Sequence, residues 1–482
     1  MGTTVASGDP QRIPSAPEVE FRFERGEIRA AGLGPPPLYR GVLPDSFRWD
    51  PDRRSWRAPG YCYRGLRTWI ASRANGGAAY RAARPEGFAP VRVPPENWPP
   101  LRPYQEEALR AWKAAGERGL VALPTGAGKT RLSVRAILAL ARPAIVLVPT
   151  RQLIRQWIEA IAQYYPGPIG AWGDGVREIQ PITVSTYASA RAALERFGDR
   201  FDLLVVDEAH HLPSPQLAQT ARMAIAPSRL GLTGSPPEDR AQRDIVEDVL
   251  GPTCFALPAA RLAGTYLAPY EVKVLLAKLD RAERAAYDRL RACFLRAFRP
   301  FAEAQPEATW TEFVRQASAS PEGRESLRAF RASREILARA KSKFLILDAL
   351  LDAHRDEPKL VFAGDNAAAY EISRRFLVPA ITCETRRAER AEILERFARG
   401  VYRTIVSAKV LNEGLDVPEA SVAIVTGGTS SPLEHAQRIG RVLRPAHGKK
   451  AIVYELVAPG TADWRASERR GRSNVLSAAP EV

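Results

Sequence analysis

Between Leu123 and Thr130 the chain reads LPTGAGKT. The apolar run Gly119-Leu-Val-Ala-Leu123 just before it has the composition of a buried strand, and Leu132, Val134, Ile137 and Leu138 after it recur at helical spacing. A glycine-rich turn between a strand and a helix aims successive backbone N–H groups, and the positive end of the helix dipole, at a phosphate chain. Gly126 and Gly128 allow close approach, Pro124, Thr125 and Ala127 complete the cradle, Lys129 supplies a point charge for the β- and γ-phosphates, and the Thr130 hydroxyl is placed to hold Mg2+. The general pattern begins with glycine where this chain has Leu123. An ordinary strand-to-helix turn can share this composition, so the assignment leans on what lies further along.

Outward from this turn, strand-like runs at Leu120–Leu123, Ile145–Val148, Ile182–Ser185, Leu203–Val206 and Leu230–Thr233 alternate with amphipathic stretches. A second set follows at Leu360–Ala363, Ala380–Thr382, Thr404–Ser407, Val422–Val425 and Ile452–Leu456. Such alternation predicts an α/β fold with two parallel-sheet lobes, each covered on both faces, whose ligands sit at the carboxyl ends of the strands. The expected limits are 99–268 for the first lobe and 345–462 for the second, with a basic, helical insertion and linker at 269–344. Leu290, Phe294, Ala297 and Phe301 form one packing stripe of that insertion. Residues 18–98 read as a small α+β domain: EVEFRFERGEIRAAG alternates with period two about an Arg-Gly turn, and Phe47, Trp49, Trp56, Tyr61, Tyr63 and Trp69 follow among arginines. A domain this small needs large side chains for a core, which favours packing over a base-stacking surface. Residues 1–17 and 463–482 read as disordered tails.

Seventy basic residues stand against 54 acidic ones, a net charge of +16, and this excess suggests a polyanionic partner, nucleic acid first. Genome base composition can trade lysine for arginine, but it does not create an excess of base over acid. The four cysteines, Cys62, Cys254, Cys293 and Cys383, are scattered without zinc-ligand spacing, which points to reduced thiols and a cytoplasmic location. No apolar run is long enough to span a bilayer, so no membrane partner is expected.

Asp207-Glu208-Ala209-His210 ends the apolar run Leu203–Val206, which puts both carboxylates at the sheet's carboxyl edge. There Asp207 would hold Mg2+ and Glu208 would orient and deprotonate an attacking water. An Asp-Glu pair alone means little; after a buried strand and downstream of LPTGAGKT it is specific. On a helix Gln437, Arg441 and Arg444 fall at i, i+4 and i+7, one face, where arginine forks could neutralise charge building on a γ-phosphate.

Taken in order, these segments resemble the motifs of superfamily 2 helicases, and within it the XPB family. LPTGAGKT and DEAHHLPS match that family closely, WDPDRRSWRAPGYCYRGL with the following RPYQ helix start is similar to the end of its damage-recognition-like domain, and TRRAERAEILERF is similar to its second-lobe signature. The resemblance implies two RecA-like lobes, ATP and Mg2+ as cofactors, and DNA as partner, as a single strand, fork or bubble. It implies an adenine-reading site at Arg102 and Gln105 of RPYQ, and backbone contacts to the tracked strand from Thr150 and Arg151, from Ser185 and Thr186, and from Thr385 and Ser407. It places Gly414 and Asp416 of SAKVLNEGLDVP at the nucleotide, Gln437, Arg441 and Arg444 as its catalytic partners from the second lobe, and LTGSPP (Leu232–Pro237) as the coupling motif. Members move 3′ to 5′ in DNA repair, and prokaryotic ones can work with a nuclease. The family's Arg-Glu-Asp triplet corresponds here to Pro237-Glu238-Asp239, so DNA-stimulated ATPase and translocation are expected more firmly than strong strand opening. The alternatives are an RNA helicase, an ATP-switched DNA-binding scaffold that recruits a nuclease, and the motor of a restriction or defence complex.

Overall fold

The computed structural model describes residues 19–31, 33–36, 43–73, 80–83, 88, 90–237, 239–258, 261–262, 265–266, 270–306, 308–408, 420–427 and 451–473. It divides into two compact units, residues 1–123 with 128–256, and residues 257–482 with 124–127.

The first unit begins with the hairpin that period-two alternation predicts. Val19–Glu24 (β1) turns through Arg25-Gly26 into Glu27–Ala31 (β2), with Phe23 opposite Ile28. Arg48–Asp50 (β3) and Ser55–Pro59 (β4) add antiparallel strands beyond β2. After the helix Tyr63–Arg73 (α1), Tyr80–Ala83 (β5) runs parallel to β1 and completes the order β3-β4-β2-β1-β5. Phe21, Ile28, Phe47, Trp56 and Leu66 close one core, and the rings of Trp49 and Trp56 meet edge-on at 5.8 Å across β3 and β4. The aromatic residues are spent on packing, as the size of the domain requires.

This domain seats directly on the first lobe. Gly60, just past β4, approaches so closely that a Cβ there would lie 2.4 Å from the carbonyl oxygen of Met223, which only glycine permits. The Tyr61 hydroxyl donates to Asp248 at 3.1 Å, Arg222 holds the same carboxylate at 2.7 Å, and Arg64 donates to the Gly116 carbonyl at 2.7 Å.

The first lobe is built on an eight-stranded sheet. In chain order its elements are Pro103–Ala114 (α2), Arg118–Ala122 (β6), Lys129–Leu140 (α3), Ala144–Val148 (β7), Arg151–Ala162 (α4), Ile169–Gly173 (β8), Val176–Arg177 (β9), Ile182–Thr186 (β10), Tyr187–Phe197 (α5), Leu203–Val206 (β11), Pro215–Arg222 (α6), Ser228–Thr233 (β12), Arg240–Leu250 (α7) and Thr253–Ala256 (β13). The spatial order is β13-β6-β12-β11-β7-β10-β8-β9, parallel throughout except for the short β8–β9 hairpin. Every residue of β7, β10, β11 and β12 is buried, the signature of strands covered on both faces. All five anticipated strands are present; β8, β9 and β13 lie outside that set.

Arg229 in β12 is fully buried and donates to the carbonyls of Ala221 at 3.0 Å, Ala224 at 2.5 Å and Ala226 at 3.1 Å, thereby satisfying the last turn of α6 and the chain beyond it. Burial first, and the Arg118 charge second, lower its pKa to about 9. Arg229→Leu is expected to cost roughly 3 kcal/mol, because it orphans these carbonyls. Arg222→Ala, at a half-exposed pair, should cost less than about 1 kcal/mol. Urea-denaturation midpoints of the two variants check the ranking.

The second unit carries the six-stranded sheet of the second lobe. Its elements are Tyr270–Leu276 (β14), Arg281–Ala304 (α8), Trp310–Ser318 (α9), Pro321–Ala338 (α10), Lys341–Ala353 (α11), Lys359–Phe362 (β15), Asn366–Phe376 (α12), Ala380–Ile381 (β16), Arg387–Ala398 (α13), Thr404–Ser407 (β17), Val422–Val425 (β18) and Ala451–Val457 (β19), followed by a helix at Ala462–Ser473. The order is β14-β19-β18-β15-β17-β16, all parallel. Three helices, α8 to α10, form a separate layer whose core is Phe294, Phe301, Phe313, Ala317 and Leu327. Leu290 and Ala297 of the anticipated stripe are half-buried. The start of the stretch read as insertion and linker, 269–344, joins the sheet, and α11 straddles its end and the second lobe. β14 pairs with β19 along its whole length, and Phe344, Leu347 and Leu350 of α11 pack into the lobe's core. The helix Ala462–Ser473 falls where a disordered tail was expected; its Asp463 carboxylate receives the buried Lys343 ammonium at 2.5 Å.

Candidate nucleotide site

The glycine-rich turn joins β6 to α3, with Gly126 at φ 84° and Gly128 at φ 75°. The Leu123 N–H donates to the Thr233 carbonyl at 2.9 Å, tying the start of the turn to the end of β12, and the Ala127 N–H closes on the Pro124 carbonyl at 3.1 Å. Gly128 occupies the N-cap of α3, where no side chain caps the helix. The first amides of α3 are thereby left for an anion, in line with the dipole. Lys129 opens the helix and its ammonium donates to the Leu123 carbonyl at 3.2 Å; Thr130 is half-buried beside it.

Gln105 is 2% exposed, and both ends of its amide are used. Its Oε1 accepts the Arg102 N–H at 2.9 Å, capping α2, and its Nε2 donates to the Gly128 carbonyl at 3.2 Å. The Arg102 guanidinium donates to the Tyr104 hydroxyl at 3.3 Å. Gln105, one of the two residues expected at the adenine, thereby braces the phosphate turn.

Asp207 follows β11, and its N–H extends the ladder to the Leu147 carbonyl at 2.9 Å. Its Oδ2 accepts the Trp157 indole N–H at 2.9 Å and its Oδ1 accepts the Glu208 N–H at 3.0 Å. Burial first, and the neighbouring Glu208 carboxylate second, push Asp207 up to about 6, while Lys129 pulls it back. Glu208 lies in the left-handed region at φ 48°, a conformation that costs a non-glycine residue and turns its side chain out of the strand direction. The Tyr187 hydroxyl donates to the carbonyls of Asp207 and Glu208. Glu208 Oε2 is buried with no hydrogen-bond partner and lies 3.5 Å from His210 Nδ1. His210 in turn lies 3.4 Å from the Thr233 hydroxyl, which links the DEAH segment to LTGSPP.

These groups fit a magnesium nucleotide. Among the described residues no cluster of three or more His, Cys, Asp or Glu could cage a metal alone. Mg2+ typically takes one or two carboxylates and completes its shell with phosphate and water. A buried carboxylate crowded by a second one, an uncapped glycine-rich turn and a buried Glu208 oxygen without a hydrogen bond are what such a ligand would complete.

The positions expected at nucleic acid divide into two kinds. Thr150 occupies the N-cap position of α4, but its hydroxyl is buried without a hydrogen-bond partner, while Arg151 is largely exposed, 3.7 Å from Asp174. Thr186 caps α5 by accepting the Ser189 N–H at 3.3 Å, and the Thr385 hydroxyl accepts the Thr382 N–H at 2.9 Å. Ser185 and Ser407 are fully buried and donate to the carbonyls of Trp172 and Ile381, each at 2.9 Å. Those two hydroxyls are commitments of the sheets. Asp239 spends its carboxylate capping α7, at 2.9 Å from the Gln242 N–H. Glu238, Gly414, Asp416, Gln437, Arg441 and Arg444 lie outside the described residues.

Trp157, Tyr187 and His210 touch the acidic pair, a contact that sequence reasoning assigned to none of them. Trp157 falls at helical spacing between Ile154 and Ile161, so its pattern reads as core, and nothing local reveals that the indole N–H meets a carboxylate fifty positions away.

Residues 99–238 match the family model for the Type III restriction enzyme res subunit, and 342–446 match that for the helicase conserved C-terminal domain. The chain is 38% identical over 375 residues to the DNA 3′-5′ translocase XPB2 of Sulfurisphaera tokodaii, covering 77% of this chain and 84% of that one. It is 30% identical over 397 residues to the DNA 3′-5′ helicase XPB of Mycobacterium tuberculosis, covering 80% of this chain and 65% of that one. Among solved structures, Saccharomyces cerevisiae Dbp5 bound to RNA and ADP BeF3 shares the fold, with a TM-score of 0.53 at 16% identity over 77% of this chain and 87% of that one.

Proposed function

The chain belongs to the XPB family of superfamily 2 DNA helicases, and from that premise we propose that its Asp207-Glu208 pair and phosphate turn form the ATPase centre of a 3′-to-5′ DNA translocase acting in repair. The observation that carries the residue assignments is the buried Glu208 oxygen, which lacks a hydrogen-bond partner, beside the buried Asp207 carboxylate that Trp157 holds. Among the described residues no helix is long and apolar enough to cross a membrane, and we assign the protein to the cytoplasm.

In this reading Lys129 and the α3 amides bind the phosphates, and Thr130 and Asp207 hold Mg2+, which neutralises phosphate charge when bound. Trp157 orients the Asp207 carboxylate. Glu208, turned out by its left-handed backbone, positions water and takes its proton at a carboxylate oxygen. Gln437, Arg441 and Arg444 supply the charge that complements the γ-phosphate from the second lobe, and Gly414 and Asp416 contact the nucleotide. Closure of lobes around ATP and its release after hydrolysis would drive stepping on DNA. A nuclease partner fits the family's habit.

ATPase rates with single-stranded, forked, bubble and duplex DNA, and with RNA of matched length, test this. Stimulation by single strand or fork is expected; a preference for RNA of tenfold or more would reverse the substrate. DNA affinity should also fall roughly tenfold or more on raising salt from about 50 to about 200 mM, because phosphate contacts dominate. A second reading, an ATP-switched scaffold with weak unwinding, is favoured by Pro237 in place of the family's arginine and by Asp239 being committed to its helix cap. Strand displacement on a 3′-tailed duplex separates the two.

A further inference from the structure

We infer that Trp157 and Tyr187 are positioning residues through which DNA at the first turns of α4 and α5 sets the geometry of the Asp207-Glu208 pair. The inference rests on the functional reading above together with the expectation, implied by the family resemblance, that the tracked strand runs along Thr150-Arg151 and Thr186.

Two helices that begin at the proposed DNA side reach the acidic pair by separate routes. Trp157 stands two turns into α4 from the Thr150 cap and is 1% exposed; its indole N–H holds the Asp207 side chain at 2.9 Å. Tyr187 is the first residue of α5, immediately after the Thr186 cap, and its hydroxyl holds the main chain at the carbonyls of Asp207 and Glu208. The Asp207 carboxylate is thus steered from α4, and the left-handed Glu208 backbone from α5. A helix is stiff along its axis, so a small shift at its first turn is carried to residues further along rather than absorbed.

Packing alone does not require these groups. The apolar face of α4, Ile154 and Ile161 with Trp157, would be served by a phenylalanine, and α5 would begin as well with one. The polar atoms are the part that reaches the acids. The start of α4 adds an independent sign: the Thr150 hydroxyl is buried with no hydrogen-bond partner, so no side chain caps the first amides of this helix.

The test uses the full chain and its Trp157→Phe and Tyr187→Phe variants. ATPase is measured with and without a single-stranded oligonucleotide, and binding of the same oligonucleotide by fluorescence anisotropy. The expected result is a ratio of stimulated to basal rate that falls about tenfold in each variant while DNA affinity stays within about twofold. A structural role alone would lower both rates by one factor and leave the ratio intact; that outcome, or a ratio that falls only in step with DNA affinity, overturns the inference. Should Trp157→Phe melt early, Tyr187→Phe decides, since it removes a single hydroxyl. A wild-type ATPase indifferent to DNA overturns the functional reading as well. A responsive wild type with unaltered ratios in both variants overturns only the inference.

Discussion

Lys129→Ala will abolish measurable ATP binding and lower turnover by about a thousandfold or more, with fluorescence titration of a labelled ATP analogue and steady-state ATPase as the readouts. The size of the effect follows from position. Lys129 is the first residue of α3, at the mouth of a turn whose two glycines are both at positive φ, so its charge sits where the helix amides already point. A neighbouring arginine cannot stand in. Arg131 lies two positions on, which places its side chain on another side of the helix. The charge of Lys129 is also felt by Asp207, whose pKa it pulls down. Removing it should therefore weaken Mg2+ retention as well as phosphate binding. Lys129→Arg is expected to recover little, because a planar fork does not replace a compact ammonium in so close a turn.

Glu208→Gln will retain ATP and DNA binding and lose turnover by roughly a hundredfold to ten-thousandfold, since an amide keeps the shape of the carboxylate and cannot accept a proton from water. Normal hydrolysis in this variant would remove Glu208 from the role of base. The same substitution carries a thermal signature. Asp207 is raised from 3.8 to about 6, with Glu208 the second cause after burial. A carboxyl with a raised folded-state pKa binds more protons when folded, so stability falls as pH rises through the window from 3.8 to about 6. Relieving the Glu208 repulsion should therefore raise the melting temperature of the nucleotide-free variant above wild type at pH 8, with the gain shrinking towards pH 4. A variant equally shifted at both pH values would mean that the two carboxylates do not interact.

The two-lobed α/β fold was legible because its signals are local. Strands such as Ala144–Val148 and Ile182–Thr186 are short, apolar and buried on both faces, and each leads into an amphipathic helix. The phosphate turn and the DEAH segment were legible for the same reason: each is defined by what immediately precedes and follows it. β14 was not. Its Tyr-Glu-Val-Lys-Val-Leu-Leu alternates as an edge strand should, with Val272, Val274 and Leu276 exposed. The four helices that follow, α8 to α11, separate it in sequence from the rest of its sheet, and its partner, β19, arrives some 180 positions later (Tyr270 pairs with Ala451). The bracing of the site was equally hidden. Trp157 to Asp207, Tyr187 to the Asp207 and Glu208 carbonyls, and Gln105 to the Gly128 carbonyl are each set by how neighbouring strands are ordered. The order β12-β11-β7-β10 puts the ends of β7 and β10, and so α4 and α5, beside the acids that end β11. Buried Ser185 and Ser407 show the converse: a residue type suited to phosphate contact was spent inside the sheet, which only its neighbours reveal.

Directional displacement of streptavidin from biotinylated single-stranded DNA tests most directly the proposal that hydrolysis at Lys129, Asp207 and Glu208 moves this chain along DNA. The predicted result is ATP-dependent release from the 5′ end, little from the 3′ end, and none with Glu208→Gln. DNA-stimulated hydrolysis that continues at its full rate while streptavidin stays bound at both ends would contradict it.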